Sequence, residues 1–423
     1  MIKIIKYSQG LGRNKLISFL DQRRNLNNSE TNLVNKIIND VKKNNFKALK
    51  KYEYKYSKNK EIKLSKKKIN HSIKYLDKNV RKAIDYAYER ILKFHKLQFK
   101  NFKKIKFIDQ YKNKLEYKSV PIETVGVYVP GNLPSTLLMN CIPAKIAGVK
   151  RIVLATPKIN NKLNPAVLYA AKKLGIKEIL SMGGAQAIAS LAFIQKVNKV
   201  VGPGNKYVAE AKRQLSGKIL GTETMYAAAS EICVLADKNT DLNQIATSLV
   251  SQAEHDPDAI PSLVTTSEAL VAAVEDELKR QLPLLSTEVI AREALKNGGS
   301  ILCQSMTEAI EVVNRIGPEH LELQGVEAEK AVAQLTSYGG LFIGEGAAEV
   351  FGDYGVGPNH VLPTSGTARY TGGLSVFNFI RVRTWLELSS PDGAEELLED
   401  TVALAEAEGL SAHAASAAAR RKV

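Results

Sequence analysis

Glu123-Thr-Val-Gly-Val-Tyr-Val129 is a continuous, mostly apolar run, and Arg151-Ile-Val-Leu-Ala-Thr-Pro157 is a second. Runs without polar alternation predict strands buried on both faces, as in a parallel sheet. Ala166-Val-Leu-Tyr-Ala-Ala-Lys-Lys-Leu-Gly175 has helical spacing and a glycine stop. A strand over 178–182, a helix over 185–193 and a strand over 197–201 follow. A helix over 205–215 is entered through Gly202-Pro-Gly204. Strands alternating with helices of this length predict parallel βαβ units. Outward from this block the pattern resumes at Glu231-Ile-Cys-Val-Leu-Ala-Asp237, then a helix from Leu242 to about His255. Further strands are expected at 261–265, 300–303 and 341–343. Towards the N-terminus, residues 10–100 read as helices, with apolar residues at three-to-four spacing over 32–41 and 81–95. The fold class is therefore α/β, with two parallel-sheet units, a helical front and a helical tail.

A chain of 423 residues accommodates two or three packed units. Its 44% apolar and 24% charged residues are ordinary for a soluble globular protein. Cys141, Cys233 and Cys303 lie far apart, which points to buried thiols in a reducing compartment. The first residues hold no apolar signal core and no stretch approaches a membrane span, so the expected location is the cytoplasm. The net charge of +17 is an average over opposite halves. Residues 251–423 carry 12 Lys/Arg against 26 Asp/Glu, and the 250 before them carry 48 against 17. A basic front could bind nucleic acid, but no nucleic-acid motif or aromatic platform accompanies it. Lys and Asn rise together there, which reads as biased composition on solvated helix faces. No nucleic-acid or membrane partner is expected.

Four of the six histidines sit in short polar segments of the second half. Gln252 and His255 stand at i and i+3 near a helix end and share a face. Asp353 and His360 flank a Gly-rich turn, and His413 follows Glu408 by five residues. Gln252, His255, Asp353 and His413 would offer two nitrogens and two oxygens, a set that suits zinc, although their separation alone does not decide it. Glu319-His320 follows a Gly-Pro turn that would expose both side chains at an element end, as an acid–base pair or as a polar turn capping a strand. His71 and His95 read as structural. Gly183-Gly-Ala-Gln186 and Gly202-Pro-Gly-Asn205 open helices whose N-termini attract phosphate, yet neither is a G-x-G-x-x-G, and plain turns explain them equally well.

Taken in order, several motifs resemble the histidinol dehydrogenase family over roughly residues 80–415. They are Gly126-Val-Tyr-Val-Pro-Gly131, Gly183-Gly-Ala-Gln-Ala-Ile-Ala189, Gly202-Pro-Gly-Asn205 and Ser251-Gln-Ala-Glu-His-Asp256. Gly317-Pro-Glu-His320, Gly352-Asp-Tyr354, Asn359-His-Val-Leu-Pro-Thr364 and Gly409-Leu-Ser-Ala-His413 complete the set. The resemblance implies a zinc- and NAD-dependent enzyme that oxidises L-histidinol to L-histidine through bound histidinal, the last step of histidine biosynthesis. It makes Gln252, His255, Asp353 and His413 the ligands of one zinc per subunit, which would template the substrate. His320 would take the alcohol proton and Glu319 would activate water. Ser230, His360 and Glu408 would contact substrate beside the zinc set and His320, and Tyr128, Gln186 and Asn205 would contact NAD. The implied assembly is an intertwined homodimer whose tail brings Glu408 and His413 to the neighbouring site.

The implied fold has two incomplete Rossmann-like domains. An N-terminal helical segment spans 1–24. One α/β domain joins 25–125 to 232–376 and carries most zinc and catalytic residues, and a second, at 126–231, carries the NAD motifs. The helical tail is 377–423. The chain departs from the family pattern in a shorter loop after Gly131, in Ala227-Ala-Ala-Ser-Glu231, and in Thr224 where an Asp is expected. These departures keep two alternatives open: a paralogue acting on another small polar alcohol, or an impaired member whose basic front binds anions.

Overall fold

A computed structural model describes residues 3–7, 12–22, 28–100, 105–110, 112–223, 229–388 and 391–420. The front half runs β1 (Lys3–Tyr7), α1 (Arg13–Gln22), α2 (Asn28–Ser57), α3 (Lys66–Lys74), α4 (Lys78–Lys100), β2 (Ile105–Ile108) and β3 (Lys114–Pro121). Next come β4 (Thr124–Tyr128), α5 (Pro134–Ala147), β5 (Arg151–Thr156), α6 (Pro165–Lys173), β6 (Glu178–Ser181) and α7 (Gly184–Phe193). They lead to β7 (Lys199–Val201), α8 (Lys206–Leu215) and β8 (Gly221–Thr222). The second unit holds β9 (Glu231–Ala236), α9 (Leu242–Ala253), β10 (Ile260–Thr265), α10 (Glu268–Gln281), α11 (Glu288–Ala294) and β11 (Gly299–Cys303). It continues through α12 (Met306–Ile316), β12 (His320–Gln324), α13 (Val326–Glu329), β13 (Gly340–Ile343) and α14 (Val350–Asp353). The chain ends with β14 (Ile380–Glu387), α15 (Pro391–Ala407) and α16 (Ser411–Ala418).

Two parallel sheets organise the molecule, in the strand orders β6-β5-β4-β7-β8 and β1-β11-β10-β9-β12-β13. In each, the first strand of the βα series lies beside the fourth, so the order reverses there. That reversal is the Rossmann-like switch point at which such sheets open a crevice. The expected α/β class with two parallel sheets holds. Every residue of β9, β10 and β12 is buried, because helices cover both faces.

Two helices of the stretch 25–125, expected in one unit with 232–376, pack on the five-stranded side. Helix α2 packs through Val34, Ile38, Val41 and Leu49 against α7 and α8, and α4 packs through Ile84 and Ile91 against α5. The helical front therefore packs on the helices that cover the two faces of the five-stranded sheet. The 1–24 segment is not wholly helical either. β1 pairs in register with β11, Lys3 opposite Gly299, and extends the six-stranded sheet. In the 377–423 tail, β14 pairs antiparallel with β3, which also pairs with β2, before the two helices begin. This three-stranded arm leaves Phe107, Tyr117, Trp385 and Leu386 exposed. Among the described residues no helix is long and apolar enough to cross a membrane. The departures at Thr224 and Ala227–Ala228 lie outside the described residues.

Candidate active site

Glu319 and His320 lie at the amino edge of the six-stranded sheet, at its switch point. Helix α12 stops at Gly317, and the turn through Pro318 delivers Glu319 to the start of β12. Glu319 and His320 are 7% and 3% exposed, so the expectation of an exposed pair is corrected. The cause is position: β12 lies between β9 and β13, and its first residue is already inside the sheet.

Around His320 the hydrogen bonds assign the protons. Its Nδ1 stands 2.8 Å from the carbonyl oxygen of Glu231, which can only accept, so Nδ1 carries the hydrogen. Nε2 is left with a lone pair and faces His360 Nε2 at 2.9 Å, the two rings stacked with centroids 4.6 Å apart. Burial, reinforced by the neighbouring His360, pulls the His320 pKa down to about 3 against the opposing pull of Asp353, which keeps the ring neutral. Glu319 accepts the Glu231 N–H at 3.0 Å and also bonds Ser230. Burial nevertheless raises its pKa well above the usual carboxylate range, helped by the charges of Glu231 and Asp353. The result is a neutral base beside a carboxyl that holds its proton.

Asp353 closes α14 and bonds His360 Nε2, while its other oxygen stands 3.8 Å from His255 Nε2. Burial would raise the Asp353 carboxyl, but the bond to His360 and the neighbouring imidazoles of His360, His320 and His255 outweigh it and hold the pKa low. Gln252, on α9 one turn before His255, which follows the helix, is 1% exposed, and among the described residues neither its Oε1 nor its Nε2 has a partner. An orphaned carboxamide costs about 1–3 kcal/mol unless something outside the chain satisfies it. A carboxamide oxygen, an imidazole and a carboxylate make a donor set that suits zinc. The residues present fit the metal. The fourth expected ligand, His413, is exposed on α16, which packs against α15, and Glu408 precedes it in the exposed turn. Among the described residues no three His, Cys, Asp or Glu side chains form a complete site within one chain.

The structure thus gathers Ser230, His255, Glu319, His320, Asp353 and His360, with Gln252 beside them on α9, and leaves Glu408 and His413 outside. It also adds residues that the motifs do not mark. Asn359 donates from Nδ2 to the Met139 carbonyl at 2.6 Å and stands 3.3 Å from His95 Nε2. Arg90 donates to Gly355 O at 2.7 Å. Helix α4 thereby grips the loop that presents His360, and His95 serves as more than core filling. Behind Asp353, Glu349 bonds both Glu322 and Ser251, and the Glu322 carboxylate accepts the Glu349 N–H at 2.9 Å. Two buried carboxyls this close hold one proton between them.

Burial, with that contact, raises the Glu349 pKa to about 9. The folded protein keeps a proton there that the unfolded chain releases near pH 4.5. Folding stability is therefore expected to fall as pH rises from about 4.5 to about 9, by on the order of 1 kcal/mol per pH unit, and to level off above. Glu349→Gln keeps a donor to Glu322 without a titrating proton and is expected to flatten that slope in urea melts across this range. An unchanged slope would refute the shared proton.

The NAD contacts expected at Tyr128, Gln186 and Asn205 converge at the carboxyl edge of the five-stranded sheet, at its own switch point. Gly202 has φ +110°, and a Cβ there would lie 2.0 Å from the Tyr128 carbonyl oxygen, so only glycine lets the two loops meet. Tyr128 OH receives Gly184 N–H at 3.4 Å, and Asn205 caps α8 by accepting from Val208 N.

A family model described as histidinol dehydrogenase matches residues 21–421. The chain is 45% identical to a histidinol dehydrogenase of Pelagibacter ubique over 98% of both sequences. It is 42% identical to one of Caldanaerobacter subterraneus over 95% of each. Its fold matches a crystal structure of histidinol dehydrogenase from Elizabethkingia anophelis with a TM-score of 0.89, at 33% identity, over 99% of this chain and 98% of that one.

Proposed function

The chain belongs to the histidinol dehydrogenase family, and from that premise we propose that it oxidises L-histidinol to L-histidine in two successive NAD-linked steps. The observation that carries this reading is the pairing of a neutral His320, its Nε2 lone pair free of a proton, with a buried Glu319 at the start of one strand. In the first step His320 Nε2 takes the alcohol proton while the carbinol hydride passes to NAD⁺, leaving the aldehyde. In the second, Glu319, once ionised, takes a proton from water as the water oxygen bonds the aldehyde carbon. The hydrate anion then passes its hydride to a second NAD⁺, and the carboxylic acid so formed releases its remaining proton to solvent as the carboxylate.

Gln252, His255 and Asp353 would hold zinc together with His413 of a second copy. A zinc ion bound there supplies a fixed cationic anchor for the imidazole and amine nitrogens of the substrate. His360 and Ser230 line the same space and would orient the substrate against His320, with Glu408 joining them from the tail. The tail supports a homodimer: Leu397, Leu404 and Leu410 are 46%, 66% and 42% exposed within one chain. Tyr128, Gln186 and Asn205 would hold NAD, the pyrophosphate lying near the glycine turns at the carboxyl ends of β4 and β7. Cytoplasmic histidine biosynthesis is the setting this reading implies.

The test is a stoichiometric assay. Two NADH per L-histidinol are expected, with loss of turnover after a chelator and its return on adding zinc. One NADH per substrate, or activity indifferent to chelation, would reject the reading.

A further inference from the structure

Glu53, on the Lys-rich helix α2, is 1% exposed and meets no cation at ion-pair distance among the described residues. Its Oε1 accepts the Gly183 N–H at 2.9 Å and the Gln186 Nε2–H at 2.9 Å. Asn59 backs the carboxyl, donating to the Ser181 carbonyl at 2.7 Å and receiving Lys158 Nζ at 2.9 Å. Burial pushes the Glu53 pKa up, opposed chiefly by the Gly183 N–H and by Gln186. A carboxamide is asymmetric: an acceptor beside Nε2 forces its carbonyl oxygen to the other side. Gln186 Oε1 accordingly lies against the start of α7, where a Cβ on Gly184 (φ +64°) would come within 3.0 Å of it.

Resting on the reading that Gln186 touches the dinucleotide, we propose that Glu53 is a positioning residue. It fixes the Gln186 carboxamide with its carbonyl oxygen towards the cofactor, so that this position accepts a hydrogen bond from a hydroxyl or amide N–H of the dinucleotide. The same carboxyl occupies the Gly183 N–H at the entrance to α7, which leaves the pyrophosphate to the turn at Gly202. A helix of the basic front, remote in sequence, thus sets the polarity of one cofactor contact.

The experiment measures NAD⁺ affinity by binding and steady-state kinetics on the zinc-loaded enzyme. Glu53→Met keeps the side-chain length and removes both oxygens. It is expected to raise Kd and KM for NAD⁺ about tenfold, the scale of one misdirected hydrogen bond. kcat, the KM for L-histidinol and the zinc content should hold. Glu53→Gln retains an oxygen for both donors and should bind like the parent. Gln186→Ala should weaken binding, and Glu53→Met should add nothing on top of it, since residues acting through one another are not additive.

Unchanged affinity in Glu53→Met, additivity with Gln186→Ala, or a Glu53→Gln variant as weak as Glu53→Met would each overturn the positioning role. Unchanged affinity in Gln186→Ala would instead remove the cofactor contact on which it rests. Should Glu53→Met not fold, the reciprocal pair decides: Gln186→Glu alone should bind NAD⁺ poorly, and Glu53→Gln with Gln186→Glu should recover it. Failure to recover overturns the proposal.

Discussion

Replacing His320 with alanine is expected to lower NADH formation from L-histidinol by about 10²–10⁴-fold, the usual weight of one positioned general base. NAD⁺ affinity should not change, because the His320 ring and the Tyr128 crevice stand at edges of different sheets. The size of the effect follows from how completely the ring is oriented. The Glu231 carbonyl fixes the tautomer, and burial holds the ring neutral, so Nε2 is always ready to accept. Glu319→Gln should behave differently. It keeps the shape and the Glu231 N–H contact but cannot take a proton from water, so alcohol oxidation should survive better than aldehyde oxidation. Single-turnover runs starting from L-histidinol and from histidinal separate the two steps, and equal losses in both would refute the division of labour. The aldehyde step also carries a pH signature. Glu319 ionises well above the usual carboxylate range, so that step should quicken as pH rises, and Glu319→Gln should lack the rise.

The parallel strands were legible because burial on both faces writes continuous apolar runs such as Glu231-Ile-Cys-Val-Leu-Ala236. β12 was not, because His320-Leu-Glu-Leu-Gln324 alternates polar residues that a sequence reader assigns to solvent. Here those polar groups face buried partners, and Glu322 bonds the N–H of Glu349. A carboxylate between two leucines at the start of an apparent turn was the available signal. β1 misled for the opposite reason. Lys-Ile-Ile-Lys-Tyr is an edge strand with only two buried positions, too short to outweigh the helical texture around it. For the site, the i, i+3 spacing of Gln252 and His255 was readable. The contact of His95 with Asn359 was not, since its partner is 264 residues away.

The edge chosen for chemistry was also hidden from sequence. Open parallel sheets bind ligands at their carboxyl ends, and the NAD contacts proposed for the five-stranded sheet follow that rule. The six-stranded sheet closes its own carboxyl-end crevice instead. Asp237 accepts the Glu327 N–H at 2.9 Å and the Asn239 N–H at 2.9 Å, filling the place an incoming anion would take. The proposed acid–base pair, Glu319 and His320, then sits at the opposite end, where Glu231 opens β9 and His320 opens β12. Strand order alone would have pointed to the wrong edge.

Two inactive variants are expected to restore activity to each other when their subunits are mixed. His413→Ala removes a ligand carried by the tail, whereas His320→Ala removes the base carried by the sheet. His413 is exposed and separate from His255 and Asp353 within one chain, so the two lesions of a mixed dimer fall in the same active site if the tail crosses over. The other site is then intact. Random reassociation of equal amounts makes about half the dimers mixed, each with one good site of two, so recovery should reach about a quarter of the parent activity. If instead each tail folded back on its own subunit, both sites of every mixed dimer would keep one lesion, and mixing would restore nothing. Zinc content discriminates further: mixed dimers should retain about half the metal-binding sites, because only the site receiving the altered tail loses its fourth donor. Recovery of activity without that pattern of zinc would place His413 on the substrate rather than on the metal. No recovery at all would move the tail back to its own chain.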